Sequence, residues 1–473
     1  MKDGFIKAAS ASPVIKVADT EYNAQRVIET IKAADEMGVK LLVFPELVLT
    51  GCTCYDLTGH NVVLRGAKKA LLEVIAASEG VDMLVFVGLP IAVGSRLYSC
   101  AAAIYDGELL GLVPRENVRG TQFAEPADSY VEVEIDAEHV AVLSTDYVFT
   151  CAALPDLKVA AELGADIDVL VPPSVRHAQA GATVIAQLAS FPETVTSADE
   201  AELTLRSQSR RLHCGMIMAA PGKGESTTDN VFSGLCMIAE NGEILAASEC
   251  ENSMAVTELD VEYIVNTRRG SDDFDLDSDE YYEAVWGGEP VETELTRSYR
   301  KYPHLPANEA DMPAYCERML DIQVSGLVKR MQYAGLDHCV VGISGGVDST
   351  LAVMVSAMAV KKLGLPSTNV VACTMPCFGT SSRTKSNAIV VAEQLGAEVR
   401  VIDIGKSVYQ HFDDIGHAHD DYSIAFENAQ ARERTQVLMD IANKLNGLDV
   451  GTEDLSEFID GWCTFNGDHT SNY

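Results

Sequence analysis

Residues 339–350 read Cys339-Val340-Val341-Gly342-Ile343-Ser344-Gly345-Gly346-Val347-Asp348-Ser349-Thr350. A strand-length apolar run ends in Ser-Gly-Gly, and a helical stretch at about 348–363 opens directly behind it. The start of a helix offers unpaired N–H groups and the positive end of its dipole, so it favours an anion. Gly345 and Gly346 let the backbone curl and approach phosphate oxygens without Cβ clashes. Ser344, Ser349 and Thr350 add hydroxyl donors. Asp348 is a poor direct neighbour for phosphate but a sensible Mg²⁺ ligand beside pyrophosphate. No lysine follows the second glycine, which excludes a Walker A loop.

Outward from this turn, helix 316–334 leads into the strand at 339–343. Strand 370–374, helix 384–395, strand 399–404 and helix 430–445 follow, and Val450 ends another strand. Strand–helix alternation at this spacing predicts a doubly wound parallel sheet over 316–473. Residues 266–315 break the pattern. Asp272, Asp273, Asp275, Asp277, Asp279, Glu280 and Glu283 cluster there, followed by four prolines, and the segment reads as a linker. The Asp-x-Asp-x-Asp run lacks the glycine and final glutamate of an EF-hand loop, so a solvated acidic face is the better reading. Before it, an amphipathic helix at 22–38 carries Ala24, Val27, Ile28, Ile31 and Ala34 on one stripe. Apolar runs at 41–44, 83–87, 140–143, 169–171 and 216–219 are strand-length, and 66–78 and 156–163 read as helices. Residues 1–265 therefore predict a layered α/β domain.

Length and charge bound the function. A chain of 473 residues with 47% hydrophobic residues holds two or three cores. The 35 Lys+Arg against 70 Asp+Glu give a formal charge of −35. Such a surface repels phosphate backbones and anionic lipid, which excludes general nucleic-acid or membrane-surface binding. No apolar run reaches the ~18 residues of a membrane span, and the N-terminus lacks a signal peptide's apolar core. The close cysteine pairs, Cys52/Cys54 and Cys373/Cys377, lack metal-site company. A cytoplasmic setting is expected.

The loop string resembles the SGGxDS loop of the ATP pyrophosphatases, which split ATP into AMP and pyrophosphate. Four further segments, in order, are similar to NAD+ synthetases: Thr374-Met375-Pro376-Cys377-Phe378-Gly379-Thr380-Ser381-Ser382, Phe426-Glu427-Asn428-Ala429-Gln430-Ala431-Arg432, Gly451-Thr452-Glu453-Asp454-Leu455-Ser456-Glu457 and Gly461-Trp462-Cys463-Thr464-Phe465-Asn466-Gly467-Asp468. The resemblance implies that Gly342, Ile343, Ser344, Gly345, Gly346, Val347, Asp348, Ser349 and Thr452 hold ATP. It implies that Asn428, Glu457, Trp462, Cys463, Thr464 and Phe465 face deamido-NAD+, and that Asp348 and Glu457 hold Mg²⁺. Without it, Asn428 and Glu457 are ordinary helix-surface polars and Trp462 a core aromatic. The implied chemistry is sound: adenylating the nicotinate carboxylate supplies a leaving group that hydroxide is not, and ammonia then displaces AMP.

The first domain resembles the glutaminase half of the glutamine-dependent NAD+ synthetases. The similar segments are Leu42-Val43-Phe44-Pro45-Glu46-Leu47, Arg96-Leu97-Tyr98, Leu112-Val113-Pro114 and Gly224-Glu225-Ser226-Thr227-Thr228-Asp229. That resemblance implies an αββα nitrilase sandwich and a Glu–Lys–Cys triad. The thiolate attacks the amide, Glu moves the proton and Lys steadies the tetrahedral intermediate. Here Glu46 stands at the Glu position and Arg115 at the Lys position. The strand-end motif followed by an acidic residue matches Leu143-Ser144-Thr145-Asp146, which places Ser144 at the nucleophile. Nothing in 116–123 matches the aromatic expected to contact glutamine. An alcohol ionises far less than a thiol of pKa ~8.5, and arginine keeps the charge but not the geometry of lysine. Cys151, seven residues beyond Ser144, is a poor substitute because a triad tolerates little misplacement.

Glu46, Arg115 and Ser144 are expected within ~10 Å of each other at one end of the sheets. The chain reads as an ammonia-dependent NAD+ synthetase with an inactive glutaminase half, and the family implies a homo-oligomer. A non-catalytic assembly or regulatory homologue is the alternative. An amidase of another kind needs a nucleophile that the sequence does not offer. The family's synthetase half is expected to run past the Asn466-Gly467-Asp468-His469 segment, which makes this one incomplete at Tyr473.

Overall fold

Alternating burial along the first strands dictates layers. Ile6 and Ala8 face one way and Ala9 and Ala11 the other, and all four are buried, so both faces of the sheet are covered. The computed structural model describes residues 1–473 except 128–129, 228, 250–251, 275–280 and 379–381. The acidic run at 275–280, Thr228 and the 379–381 part of the quoted motif thus lie outside the described residues. The chain forms two units, Met1–Ser298 and Tyr299–Tyr473.

The first unit contains strands β1 (Phe5–Ser12), β2 (Leu41–Val43), β3 (Leu84–Val93), β4 (Arg96–Tyr105), β5 (Glu108–Pro114), β6 (Val131–Glu134), β7 (Val140–Leu143), β8 (Tyr147–Cys151), β9 (Leu154–Leu163), β10 (Val184–Leu188), β11 (Gly215–Ala219), β12 (Cys236–Glu240), β13 (Glu243–Ser248), β14 (Ser253–Asp260) and β15 (Tyr282–Trp286). One sheet runs β14-β1-β2-β3-β4-β5-β7-β6 and the other β13-β12-β11-β10-β9-β8-β15. Helices α1 (Thr20–Glu36) and α2 (Asn61–Ala77) cover the outer face of the first sheet through Val27, Ile31, Leu71 and Val74. Helices α3 (Pro173–Gln179) and α4 (Ser197–Leu212) cover the second through Ala178 and Leu205, and α5 (Val261–Arg268) closes the unit's helices. Between the sheets lie Leu41, Val43, Phe86, Phe149, Val159 and Ile217. The result is the expected αββα sandwich.

Three local expectations are corrected. Residues 156–163 are not helix but the body of β9, whose last five residues are all buried between neighbours on both sides. Its alanines, leucines and glutamate favour helix in isolation, and pairing in a central strand overrides that propensity. Residues 169–171 are not a strand: Leu170 and Val171 are 97% and 69% exposed. The expected linker at 266–315 is partly core. β15 pairs in parallel with β8, and buried Trp286 donates from its indole N–H to the Phe149 carbonyl at 3.1 Å.

The second unit contains α6 (Met312–Ala334), β16 (His338–Gly342), α7 (Val347–Lys362), β17 (Val370–Thr374), α8 (Ser382–Gln394), β18 (Glu398–Val401), α9 (Gly405–Ile415), α10 (Ile424–Leu445), β19 (Gly447–Val450) and α11 (Leu455–Asp460). The sheet order is β18-β17-β16-β19, all parallel. Helices α6 and α7 pack on one face and α9 and α10 on the other. The winding therefore reverses between β16 and β19, and in such sheets ligands bind beyond the strand ends at that switch point. Among the described residues no helix is long and apolar enough to cross a membrane.

Candidate functional site

Two sites emerge, one in each unit. In the second, the loop after β16 and the loop after β19 flank the switch point and open on a cavity of about 560 Å³. Gly342, Ile343, Ser344 and Thr452 line it, with Thr374–Pro376 of the next loop and one face of α10. Gly345 sits at φ +88°, a conformation that side chains rarely adopt, and its freedom lets the loop turn. Hydroxyls hold that turn. Gly346 N–H donates to Ser344 Oγ at 3.2 Å, Ser344 N–H reaches Ser349 Oγ at 3.3 Å, and Thr350 Oγ donates to the Gly346 carbonyl at 2.7 Å. Ser349 is buried, so it shapes the loop from inside. Val347 and Asp348 are exposed in the first turn of α7, and the Asp348 carboxylate has no partner among the described residues.

The residues expected on the dinucleotide form a second group. Asn428 Oδ1 accepts from Thr464 Oγ at 3.0 Å, which ties α10 to the segment after α11. Arg432 donates to the Phe465 carbonyl at 3.0 Å across the same gap. Trp462 is 79% exposed and Phe465 73%, so neither is a core aromatic; Cys463 is exposed as well. Glu457 caps its own helix: its N–H donates to Asp454 Oδ1 at 2.9 Å and its Oε2 accepts from Asp454 N–H at 3.3 Å. Glu457 and Asp348 are joined by no contact, and no group of three His, Cys, Asp or Glu that could hold a metal occurs among the described residues. Mg²⁺ is usually held by one or two carboxylates and the substrate's own phosphates, so an exposed Asp348 beside a phosphate loop fits it without a preformed cage.

In the first unit, Glu46 lies just beyond β2 and is 1% exposed. Arg115 follows β5, and its Nη1 lies 3.2 Å from Glu46 Oε2 and 3.3 Å from Oε1. Ser99 Oγ donates to Glu46 Oε1 at 2.5 Å, and Arg115 Nε donates to the Asn117 carbonyl at 2.8 Å. Two of the three expected residues are thus in contact.

No contact joins Ser144 to either of them among the described residues. It ends β7, donates from its N–H to the Leu112 carbonyl at 3.0 Å, and accepts at Oγ from Asp146 N–H at 3.1 Å. It faces a different cavity, lined by Glu116, Asp146, Arg176 and Tyr282. The residue beside the ion pair is Gly164, which directly follows β9 and precedes Ala165-Asp166. Its φ is +53°. A methyl group on Gly164 would stand 2.5 Å from Arg115 Cζ and Nη1 and 2.5 Å from Glu46 Oε2. Gly164 satisfies the strand-end motif as well as Ser144 does, and the helical propensity of 156–163 conceals it in the sequence. The signal was present in the string Leu163-Gly164-Ala165-Asp166.

Buried polar groups hold this centre in place. Asp166 accepts from the N–H groups of Glu116, Asn117 and Leu163 at 3.2, 2.6 and 3.2 Å, pinning the segment after Arg115 to the turn at Gly164. Burial raises its pKa to about 6. Glu162 is fully buried, and burial, with Asp166 adding to it, pushes its pKa to about 8. The nearby thiols are held in their neutral form. Burial and the Glu225 carboxylate raise the Cys52 pKa far above its ordinary value, and burial raises those of Cys54 and Cys151.

Comparison with known proteins places both units. The carbon-nitrogen hydrolase family model matches residues 7–269, and the NAD synthase model matches 319–473. A "Glutamine-dependent NAD(+) synthetase" of Mycobacterium tuberculosis is 34% identical over 99% of this chain and 73% of its own length. One from Thermotoga maritima is 26% identical over 100% of this chain and 78% of its own. A solved glutamine-dependent NAD+ synthetase from Acinetobacter baumannii, in complex with ADP, is 20% identical with a TM-score of 0.46, covering 99% of this chain and 78% of that one.

Proposed function

The chain belongs to the glutamine-dependent NAD+ synthetase family, carbon–nitrogen ligases of NAD biosynthesis, and we propose that it takes its nitrogen from free ammonia. The observation that carries this is Gly164: no nucleophile stands between Glu46 and Arg115, and the guanidinium lies where its side chain would begin. Glu46, the residue that would move the proton, is held by Ser99 and Arg115. Among the described residues no thiol stands between Glu46 and Arg115, where the triad needs its nucleophile, so on this reading glutamine is not hydrolysed there.

The second unit keeps its machinery. The loop at 342–349 and the first turn of α7 receive the phosphates of ATP, and Thr452 faces the same cavity. Asn428, Thr464 and the exposed rings of Trp462 and Phe465 offer a polar and stacking surface to deamido-NAD+. When bound, Mg²⁺ would neutralise charge at the phosphates; Asp348 would hold it, with Glu457 as the second expected ligand. The nicotinate carboxylate attacks the α-phosphorus of ATP, pyrophosphate leaves, and ammonia displaces AMP to form the amide. Lost metal contact acts mainly as charge develops, so Asp348→Asn lowers the rate more than it weakens dinucleotide binding. The test is NAD+ formation from deamido-NAD+, Mg²⁺-ATP and ammonium. Binding of both nucleotides without product at saturating ammonium overturns the ligase reading and leaves an assembly module.

A further inference from the structure

The cavity at the switch point carries an arginine with no ion-pair partner among the described residues. Arg434 sits in the middle of α10, one turn on from Ala431 and one turn before Leu438, so helical spacing sets all three on the face that lines the cavity. Its Nε donates to the Met375 carbonyl at 3.4 Å, the loop carbonyl after β17. That contact orients the guanidinium plane. The terminal nitrogens have no acceptor and form no ion pair among the described residues.

The charged neighbours in the cavity wall sharpen the point. Asp449, Glu453 and Asp468 also line it, and Arg434 is the sole cation among the described lining residues. Asp449 is 3% exposed and its carboxylate accepts no hydrogen bond among the described residues. Glu453 Oε1 is buried without a partner. Arg432, two residues earlier, spends its Nε on the Phe465 carbonyl and does not line the cavity. The Asp468 carboxylate attracts this half-buried guanidinium without forming an ion pair with it, which offsets its burial only in part. Burial accordingly pulls its pKa below the ordinary arginine value. A planar fork with free donors suits an oxyanion that accepts two bonds at once.

We infer that Arg434 is a nucleotide-phosphate ligand, donating through its terminal nitrogens to an oxyanion of the ATP that occupies this cavity. The inference rests on the ATP reading of the second unit. It explains how a polyanion enters a pocket that three carboxylates line: the one cation in the wall meets the phosphate, and the carboxylates are left for the base and sugar hydroxyls or for the metal.

The test is isothermal titration of ATP, AMP and adenosine into the wild-type chain and the Arg434→Gln and Arg434→Lys variants, with melting temperatures of all three. Charge-assisted bonds of this type set the scale at about ten- to hundredfold. Arg434→Gln is expected to weaken ATP and AMP by that factor, leave adenosine within about twofold, and leave the melting temperature unchanged or raised. Arg434→Lys recovers part of the loss. ATP affinity unchanged in Arg434→Gln overturns the inference alone. An equal loss for adenosine, or a melting temperature lowered by several degrees, makes Arg434 structural and also overturns it. A wild-type chain that binds none of the three overturns the ATP reading itself, and this assignment with it.

Discussion

The two strand-end turns of this chain have met opposite fates. The turn after β16 keeps two glycines, three hydroxyls and a free carboxylate around an open cavity. The turn after β9 keeps the backbone shape, with Gly164 at φ +53°, but an arginine fills the space in front of it. Asp166 still pins the surrounding segments with three N–H bonds. If the proposed reading holds, a fold can retain the scaffold of a centre after its chemistry is gone. The scaffold is stabilised by burial and hydrogen bonds, whereas catalysis needs one placed atom.

The largest effect expected from this contrast is on rate. Asp348→Asn lowers ammonium-driven NAD+ formation by about 10²–10³-fold, and Glu46→Gln leaves it unchanged. Initial rates at saturating ammonium measure both, and comparable losses break the contrast.

Next is stability at the filled centre. Removing one member of a buried ion pair leaves an uncompensated charge, worth about 3–5 kcal/mol. Arg115→Met therefore lowers the melting temperature sharply, and adding Glu46→Gln recovers most of the loss. If the double variant melts no higher than the single one, the two residues are not energetically paired.

Gly164→Ala gives a smaller shift with a distinctive coupling. The left-handed backbone alone costs roughly 1–2 kcal/mol for an L side chain, and crowding against Arg115 adds about 1–3 kcal/mol. Combining it with Arg115→Lys should leave mainly the backbone part. An unchanged penalty in that background means that Arg115 does not fill the nucleophile's place.

The smallest effect is on pH dependence. The Glu162 carboxyl keeps its proton in the folded state to about pH 8, whereas the unfolded chain releases it near pH 4.5. The folded state binds more protons across this interval, so stability falls as pH rises through it. His177, whose pKa burial lowers to about 3, acts in the opposite sense only below its unfolded value of 6.5. Between about pH 6.5 and 8, Glu162→Gln should thus flatten the decline in melting temperature.

The phosphate loop was legible from the sequence because its chemistry is local: glycines, hydroxyls and a helix start follow one strand within a dozen residues. So were the layered α/β sandwich of the first unit and the parallel sheet of the second. The glutaminase centre was legible only in part. Glu46 and Arg115 are each marked by a neighbouring proline, Pro45 and Pro114, but Gly164 sits at the end of a strand rich in Ala, Leu and Glu. Its strand character comes from pairing with β8 and β10 and from burial between layers, which local propensity does not encode. The same cause hid β15, a short strand whose paired neighbour among the described residues, β8, lies some 130 residues away in the chain. Arg434 went unnoticed because an arginine in a helix is ordinary until its missing partner is seen.

The central claim is that the second turn works and the first does not. The direct measurement is NAD+ formation from deamido-NAD+ and Mg²⁺-ATP with either ammonium or glutamine as the sole nitrogen source, in preparations freed of contaminating ammonia. The account predicts product with ammonium and only background with glutamine. Product from glutamine at a rate comparable to that from ammonium, with glutamate released in equal amount, would contradict it.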